Sequence, residues 1–133
     1  MRALALRLEP GDDLRLALEA ATREHALGAA CVATCVGSLT RAALRLAGAS
    51  ASTTLSGPLE IVALVGTLSP DGPHLHLAVA DAAGRVHGGH LLPGSIVHTT
   101  AELVLLALDD VAFARVLDPR TGWKELVLRP GGP

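Results

Sequence analysis

Four of the six histidines in this chain lie in one short segment, and their spacing suits the binding of a metal ion. His74 and His76 are two residues apart, so on a β-strand both side chains project from the same face. The segment from Asp81 to Arg85 is typical of a three-residue hairpin loop. If the ends of this loop face each other, His76 lies opposite His90 and three imidazoles converge. Three imidazoles bind zinc and leave a fourth position open.

This prediction depends on the length of the loop. A two-residue loop would place His90 on the opposite face of the hairpin, and a His-x-His pair on a strand is often only a half-exposed face. His87 has the opposite parity and is expected to project away from the cluster. His25 and His98 are isolated in the sequence and are expected to be structural or surface residues.

The composition predicts one domain with an aliphatic core. The chain has 133 residues, half of them apolar, which suits a single domain over residues 1–130, followed by a disordered tail at 131–133. Phe113 and Trp123 are the only aromatic residues, so few side chains are available to stack on nucleic-acid bases. The net charge is −2 and the arginines are scattered, which argues against duplex DNA as a partner of this domain alone.

The cysteines and the N-terminus indicate a cytoplasmic protein. Cys31 and Cys35 are four residues apart on an expected strand, too far for a disulfide, and are expected to be free thiols in a reducing compartment. Charged residues interrupt the N-terminal segment too early for a signal peptide, and no apolar run is long enough to span a membrane. No association with a membrane is expected.

Periodicity predicts an α+β fold, in which a mainly antiparallel sheet carries one principal helix packed on it. An Asp after Pro10 is expected to cap the helix, and Gly28 to end it. Residues 49–54 are expected to form a loop and residues 109–123 a long connection. The expected strands lie at 2–8, 29–36, 41–47, 59–68, 98–108 and 124–128, together with the two strands of the histidine hairpin.

Several stretches, in this order along the chain, resemble the plants and prokaryotes conserved domain, often called the PPC domain, in its free-standing prokaryotic form. The last two are the specific ones. The stretches are Leu8-Glu-Pro-Gly-Asp12, Val36-Gly-Ser-Leu39, Gly57-Pro-Leu-Glu-Ile-Val62, Gly66-Thr-Leu-Ser-Pro-Asp-Gly-Pro-His-Leu-His76 and Gly84-Arg-Val-His-Gly-Gly-His-Leu-Leu92.

The resemblance implies a compact α/β unit that assembles into homotrimers. It also implies that His74, His76 and His90 bind a metal, usually zinc, and these are the residues that hairpin parity selects. In plant proteins of the family the domain follows an AT-hook and contacts transcription factors. This chain contains no Arg-Gly-Arg-Pro AT-hook, so the plant DNA-binding function does not carry over. By resemblance, the partner-contact stretch consists of Gly57, Pro58, Leu59, Glu60, Ile61 and Val62.

Other charged residues have two interpretations each. Glu60 and Glu102 lie within apolar strands. Each is expected to be a solvent-facing or ion-paired residue, while the alternative makes it a partner contact or a hydrogen-bond acceptor for a metal-bound histidine. Arg41 and Arg45 share a strand face, which is more typical of a solvated surface than of an anion site.

Three functions follow from this sequence. The leading hypothesis is a homotrimeric binding or assembly module with a three-histidine Zn²⁺ site, for which a protein partner is a further expectation. The first alternative is a metal-dependent hydrolase or lyase, since zinc lowers the pKa of its bound water to about 7. The second alternative is a DNA-binding transcriptional regulator. The sequence identifies neither a catalytic residue nor a substrate.

Overall fold

Two long antiparallel strands form the centre of a six-stranded sheet in the computed structural model, which describes residues 1–132. Both strands are long enough to bend and to pair with different neighbours at their two ends. The elements are β1 (Arg2–Leu8), α1 (Leu14–Glu24), β2 (Ala30–Arg45), β3 (Ser52–Leu68), β4 (His74–Ala80), β5 (Val86–Leu91), β6 (Ile96–Ala107), β7 (Val111–Asp118) and β8 (Trp123–Pro130). The predicted mainly antiparallel sheet with one helix is confirmed.

The sheet closes on itself at one end. Its strand order is β1-β6-β2-β3-β4-β5, and β5 also pairs with the end of β2, so β2, β3, β4 and β5 form a ring. Leu44 of β2 lies opposite Leu91 of β5, and both are fully buried inside this ring. The core is aliphatic, as the composition predicts, because leucine, valine, alanine and isoleucine fill it almost alone.

The helix is fixed to the sheet at its first turn. Asp13 is its N-cap, and the carboxylate accepts hydrogen bonds from the backbone N–H of Leu16 at 3.0 Å and of Gly94 at 2.7 Å. Leu14 and Leu18 are fully buried against the core. Within residues 1–132, no helix has the length and apolar character needed to cross a bilayer.

The two central strands are longer than the sequence predicts. Residues 30–45 form one strand, so the expected separation into strands at 29–36 and 41–47 is wrong. Gly37 instead allows close approach of β6, because a Cβ atom there would overlap the backbone of Thr100 and Ala101. Strand β3 begins at Ser52, inside the segment expected to be a loop.

The expectation that residues 109–123 form a long connection is also wrong. Residues 111–118 form β7, which pairs with β8 as a separate two-stranded sheet. A turn joins the two strands at residues 118–122, where the N–H of Gly122 donates to the carbonyl of Asp118 at 2.8 Å. The backbone N–H of Phe113 donates to the carbonyl of Gly28, and that of Arg115 to the Asp71 carboxylate, both at 2.9 Å. In the expected tail, Gly131 donates to the carbonyl of Asp110, while Pro133 lies outside the described residues.

Gly66 brings β3 close to β4 at the first histidine of the hairpin. Its φ of +142° and the carbonyl of His74 leave no room for a Cβ atom. The position of His74 on β4 therefore depends on a glycine in the neighbouring strand.

We expect Gly66→Ala to lower the free energy of unfolding by about 1–3 kcal/mol, because the added methyl group forces β3 and β4 apart. The control is Gly28→Ala, where a Cβ atom meets nothing within 4 Å, and its effect should stay within about 0.5 kcal/mol. Urea denaturation measures both. Equal stability of Gly66→Ala and wild type would show that the strands tolerate a side chain there.

Candidate metal centre

The loop between β4 and β5 fixes the register of the histidine hairpin. Asp81 donates its N–H to the carbonyl of Arg85 at 2.9 Å, and Gly84 has the left-handed φ of +77°. This is the three-residue loop expected from the sequence, and it places His76 directly opposite His90. The Asp81 carboxylate stabilises the loop by accepting hydrogen bonds from the N–H groups of Ala83 and Arg85.

His74, His76 and His90 form a cluster on the outer face of the hairpin. Their ring centroids are 5.0 Å (His74–His76), 5.4 Å (His74–His90) and 5.9 Å (His76–His90) apart. One ring nitrogen from each residue lies within 4.8 Å of the other two. His87 is outside the cluster, because it lies opposite Val79 and its Nε2 forms a 3.1 Å hydrogen bond with Asp81.

The ring nitrogens suit a metal ion. Nδ1 of His90 is buried and has no hydrogen-bond partner within residues 1–132. Such an atom is costly unless something binds it. Burial, and then the nearby charge of Arg45, lower the pKa of His90 to about 4, and burial followed by Arg115 lowers the pKa of His74. These imidazoles are therefore neutral near pH 7, the form that binds zinc.

The surroundings of the cluster include residues that the sequence did not single out as part of a site. Arg45 lies directly opposite His90 across the β2–β5 pairing, and its guanidinium carbon lies 5.2 Å from the centre of the Trp123 ring. Arg115 and Glu125 come from the β7–β8 hairpin and line a cavity together with His74. The alternation of side chains along β2 could have identified Arg45 as a candidate site residue. Only the pairing of β2 with β5 places it beside a histidine.

The other candidates from the sequence lie elsewhere. Glu60 is exposed on β3 opposite Ser38, and Glu102 is exposed on β6 opposite Arg7. Within residues 1–132 neither glutamate forms a hydrogen bond with a histidine of the cluster. Arg41 has a structural contact, because its Nε donates to the carbonyl of Gly94 at 3.1 Å.

The stretch from Gly57 to Val62 lies on β3, where its residues alternate between the core and the surface. Leu59 and Ile61 are buried in the core. Pro58, Glu60 and Val62 are exposed.

Comparison with known proteins shows which family this chain belongs to. The model of the Plants and Prokaryotes Conserved (PCC) domain matches residues 1–109. A curated relative, the bifunctional protein GlmU of Synechococcus sp. (strain JA-3-3Ab), is 52% identical over 126 residues, which are 95% of this chain and 20% of that protein. The chain spans about a fifth of the length of the curated relatives it matches.

Two solved structures share the whole fold. A hypothetical protein of Salmonella enterica is 45% identical with a TM-score of 0.95, and the match covers 97% of this chain and 94% of that one. A metal-containing protein of Archaeoglobus fulgidus is 27% identical with a TM-score of 0.84, covering 96% and 94% of the two chains. The β7–β8 hairpin, which follows the residues matched by the family model, falls within the span of these structural matches.

We expect Asp81→Asn to reduce stability at pH 7 and to have less effect in acid. The hydrogen bond from His87, and then those from Arg85 and Ala83, lower the pKa of Asp81 below its ordinary value of 3.8. The stabilisation is therefore present above pH 3.8 and is lost as the pH falls below it. Urea midpoints from pH 7 to pH 2.5 measure the effect.

The control is Asp118→Asn, which removes a similar carboxylate from the turn of the β7–β8 hairpin. It should share this pH dependence while leaving the β4–β5 loop intact. A stability difference between wild type and Asp81→Asn that stays constant down to pH 2.5 would contradict the role assigned to the ionised carboxylate.

Proposed function

Because this chain belongs to the plants and prokaryotes conserved (PPC) domain family, we propose that it is a homotrimeric binding module that holds one Zn²⁺ ion through His74, His76 and His90. The observation that carries the metal site is the buried, unpartnered Nδ1 of His90 in a cluster whose ring nitrogens lie within 4.8 Å. The relative from A. fulgidus, described as metal-containing, supports a metal in this fold.

Each part of the site has a distinct task. The register of β4 and β5 holds His76 and His90 opposite each other. His74, at the start of β4, completes the set of three ligands. Burial, and after it the charges of Arg45 near His90 and of Arg115 near His74, lower the pKa of these two histidines and so keep their nitrogens available. Zinc would supply a Lewis acid with one position left for another ligand.

The exposed apolar side chains support self-association. Val36, Val62, Leu117 and Leu128 are each more than half exposed, and Val36 and Val62 lie on the neighbouring strands β2 and β3. A closed symmetric trimer would bury some of these side chains. A second protein partner would be met by the surface of the 57–62 stretch.

The alternatives have weaker support. A hydrolase needs a proton acceptor beside the metal, but both nearby carboxylates are engaged: Asp71 accepts from the Arg115 N–H, and Glu125 from the Thr121 hydroxyl. Duplex DNA is disfavoured because a trimer would triple the net charge of −2. The chain matches only a fifth of a relative described as bifunctional, so the likeness assigns neither activity of that relative to this chain.

We expect alanine at His74, His76 or His90 to weaken zinc binding at least about 100-fold, because each change removes a direct ligand and even the partners of ligands contribute 10–100-fold. His87→Ala is the matched control in the same hairpin and should retain zinc. Isothermal titration of metal-free protein and metal analysis of the purified variants measure this. Equal loss in the His87 variant would refute the proposed ligand set.

We expect the protein in solution at micromolar concentration to have three times the chain mass of 13.6 kDa. Burial of exposed valine and leucine side chains between subunits provides the driving force. Light scattering coupled to size-exclusion chromatography gives the mass directly. A mass of one chain across the concentration range would rule out the trimer.

A further inference from the structure

A cavity lies between the histidine cluster and the β7–β8 hairpin, and we call it the hairpin cleft. Its volume is about 880 Å³, within the range of small-molecule sites. His74 and His90 form one side of it, and Arg45, Arg115 and Trp123 line it as well. The cleft therefore combines the proposed metal site with cations and one aromatic ring.

Arg45 is the most informative residue of the hairpin cleft. It is half-buried, it lies opposite His90, and it forms no salt bridge within residues 1–132. Arg15, which also lines the cleft, already has a carboxylate partner, because its Nε lies 2.9 Å from Glu19. A half-buried guanidinium that faces a cavity without a counter-ion has donors for an anion from solution.

The remaining charges of the cleft favour an anion with two negative charges. Arg45, Arg115 and Lys124 give +3, while Asp71 and Glu125 give −2, so the net charge is +1 when the internally paired Arg15 is left out. A divalent metal on the histidines raises this to +3. A phosphate monoester carries about −1.5 to −2 at pH 7 and matches that charge better than a carboxylate does.

Trp123 provides a surface for the organic part of such a ligand. The residue is 62% exposed, and its ring centre lies 5.2 Å from the guanidinium carbon of Arg45, which places an apolar wall beside the guanidinium. An organic group attached to the phosphate would therefore meet the indole.

We propose that the hairpin cleft binds a small organic phosphate, with the phosphate on Arg45 beside the metal and the organic group against Trp123. This proposal rests on the proposed metal-binding function for the charge at the histidine side of the cleft. It names the class of ligand that the cleft binds and assigns the β7–β8 hairpin a role in recognising that ligand.

Trp123 also makes the proposal easy to test, because it is the single tryptophan of the chain. Phenyl phosphate, inorganic phosphate and benzoate are titrated into zinc-loaded protein, with indole fluorescence and calorimetry as readouts. Phenyl phosphate should bind, change the fluorescence and exceed the affinity of both other probes. Arg45→Gln should weaken its binding at least about tenfold, because a charge-assisted hydrogen bond is lost.

The matched control is Arg7→Gln, an exposed arginine on edge strand β1 opposite Glu102, which should bind phenyl phosphate as wild type does. Both variants are first shown to retain zinc, which confirms an intact site. Equal affinity of the two variants for phenyl phosphate would overturn the proposal. Benzoate or inorganic phosphate binding as tightly as phenyl phosphate would also overturn it.

The same measurements separate this proposal from the metal site. If the protein holds zinc but phenyl phosphate does not bind, only the ligand assignment fails. If metal analysis finds no metal while phenyl phosphate binds in an Arg45-dependent way, the cleft is confirmed and only the zinc site fails.

Discussion

Strand β5 pairs with β4 along one edge and with the last residues of β2 along the other, and the site depends on this double pairing. It places His76, His90 and Arg45 in one row across three strands, with side chains on the same face. A slip of one residue in either pairing would turn His90 into the core or remove Arg45 from its side. The hydrophobic interior resists that slip, because the alternate residues Leu44, Leu77 and Leu91 are fully or almost fully buried.

The histidine cluster was predictable because it is local. Parity on β4 and the chemistry of a three-residue loop involve only residues 74–90, and a glycine in the left-handed conformation fixes the loop. The surroundings of the cluster were not predictable in this way. Arg45 lies 45 residues from His90, and although residues 41–47 are expected to form a strand, nothing in a single sequence indicates that this strand pairs with β5.

The errors at Gly37 and at residues 109–123 have different physical causes. Gly37 was interpreted as a strand break, whereas its missing side chain admits the backbone of β6. Strand β7 is apolar on both faces and is interrupted by Arg115, so it lacks the regular alternation of a half-buried strand. Its stability comes from pairing with β8 and from anchoring contacts to Gly28 and Asp71.

The β7–β8 hairpin forms its own two-stranded sheet, and no ladder of hydrogen bonds joins it to the main one within residues 1–132. The histidines that would hold the metal and Arg45 therefore lie in the main sheet, while Arg115, Trp123 and Lys124 line the cleft from a separately stabilised hairpin. Substitutions on the hairpin can alter the wall of the cleft without disturbing the register that gathers the histidines. The fold thus allows one metal platform to acquire different ligand preferences through changes in a single appended hairpin.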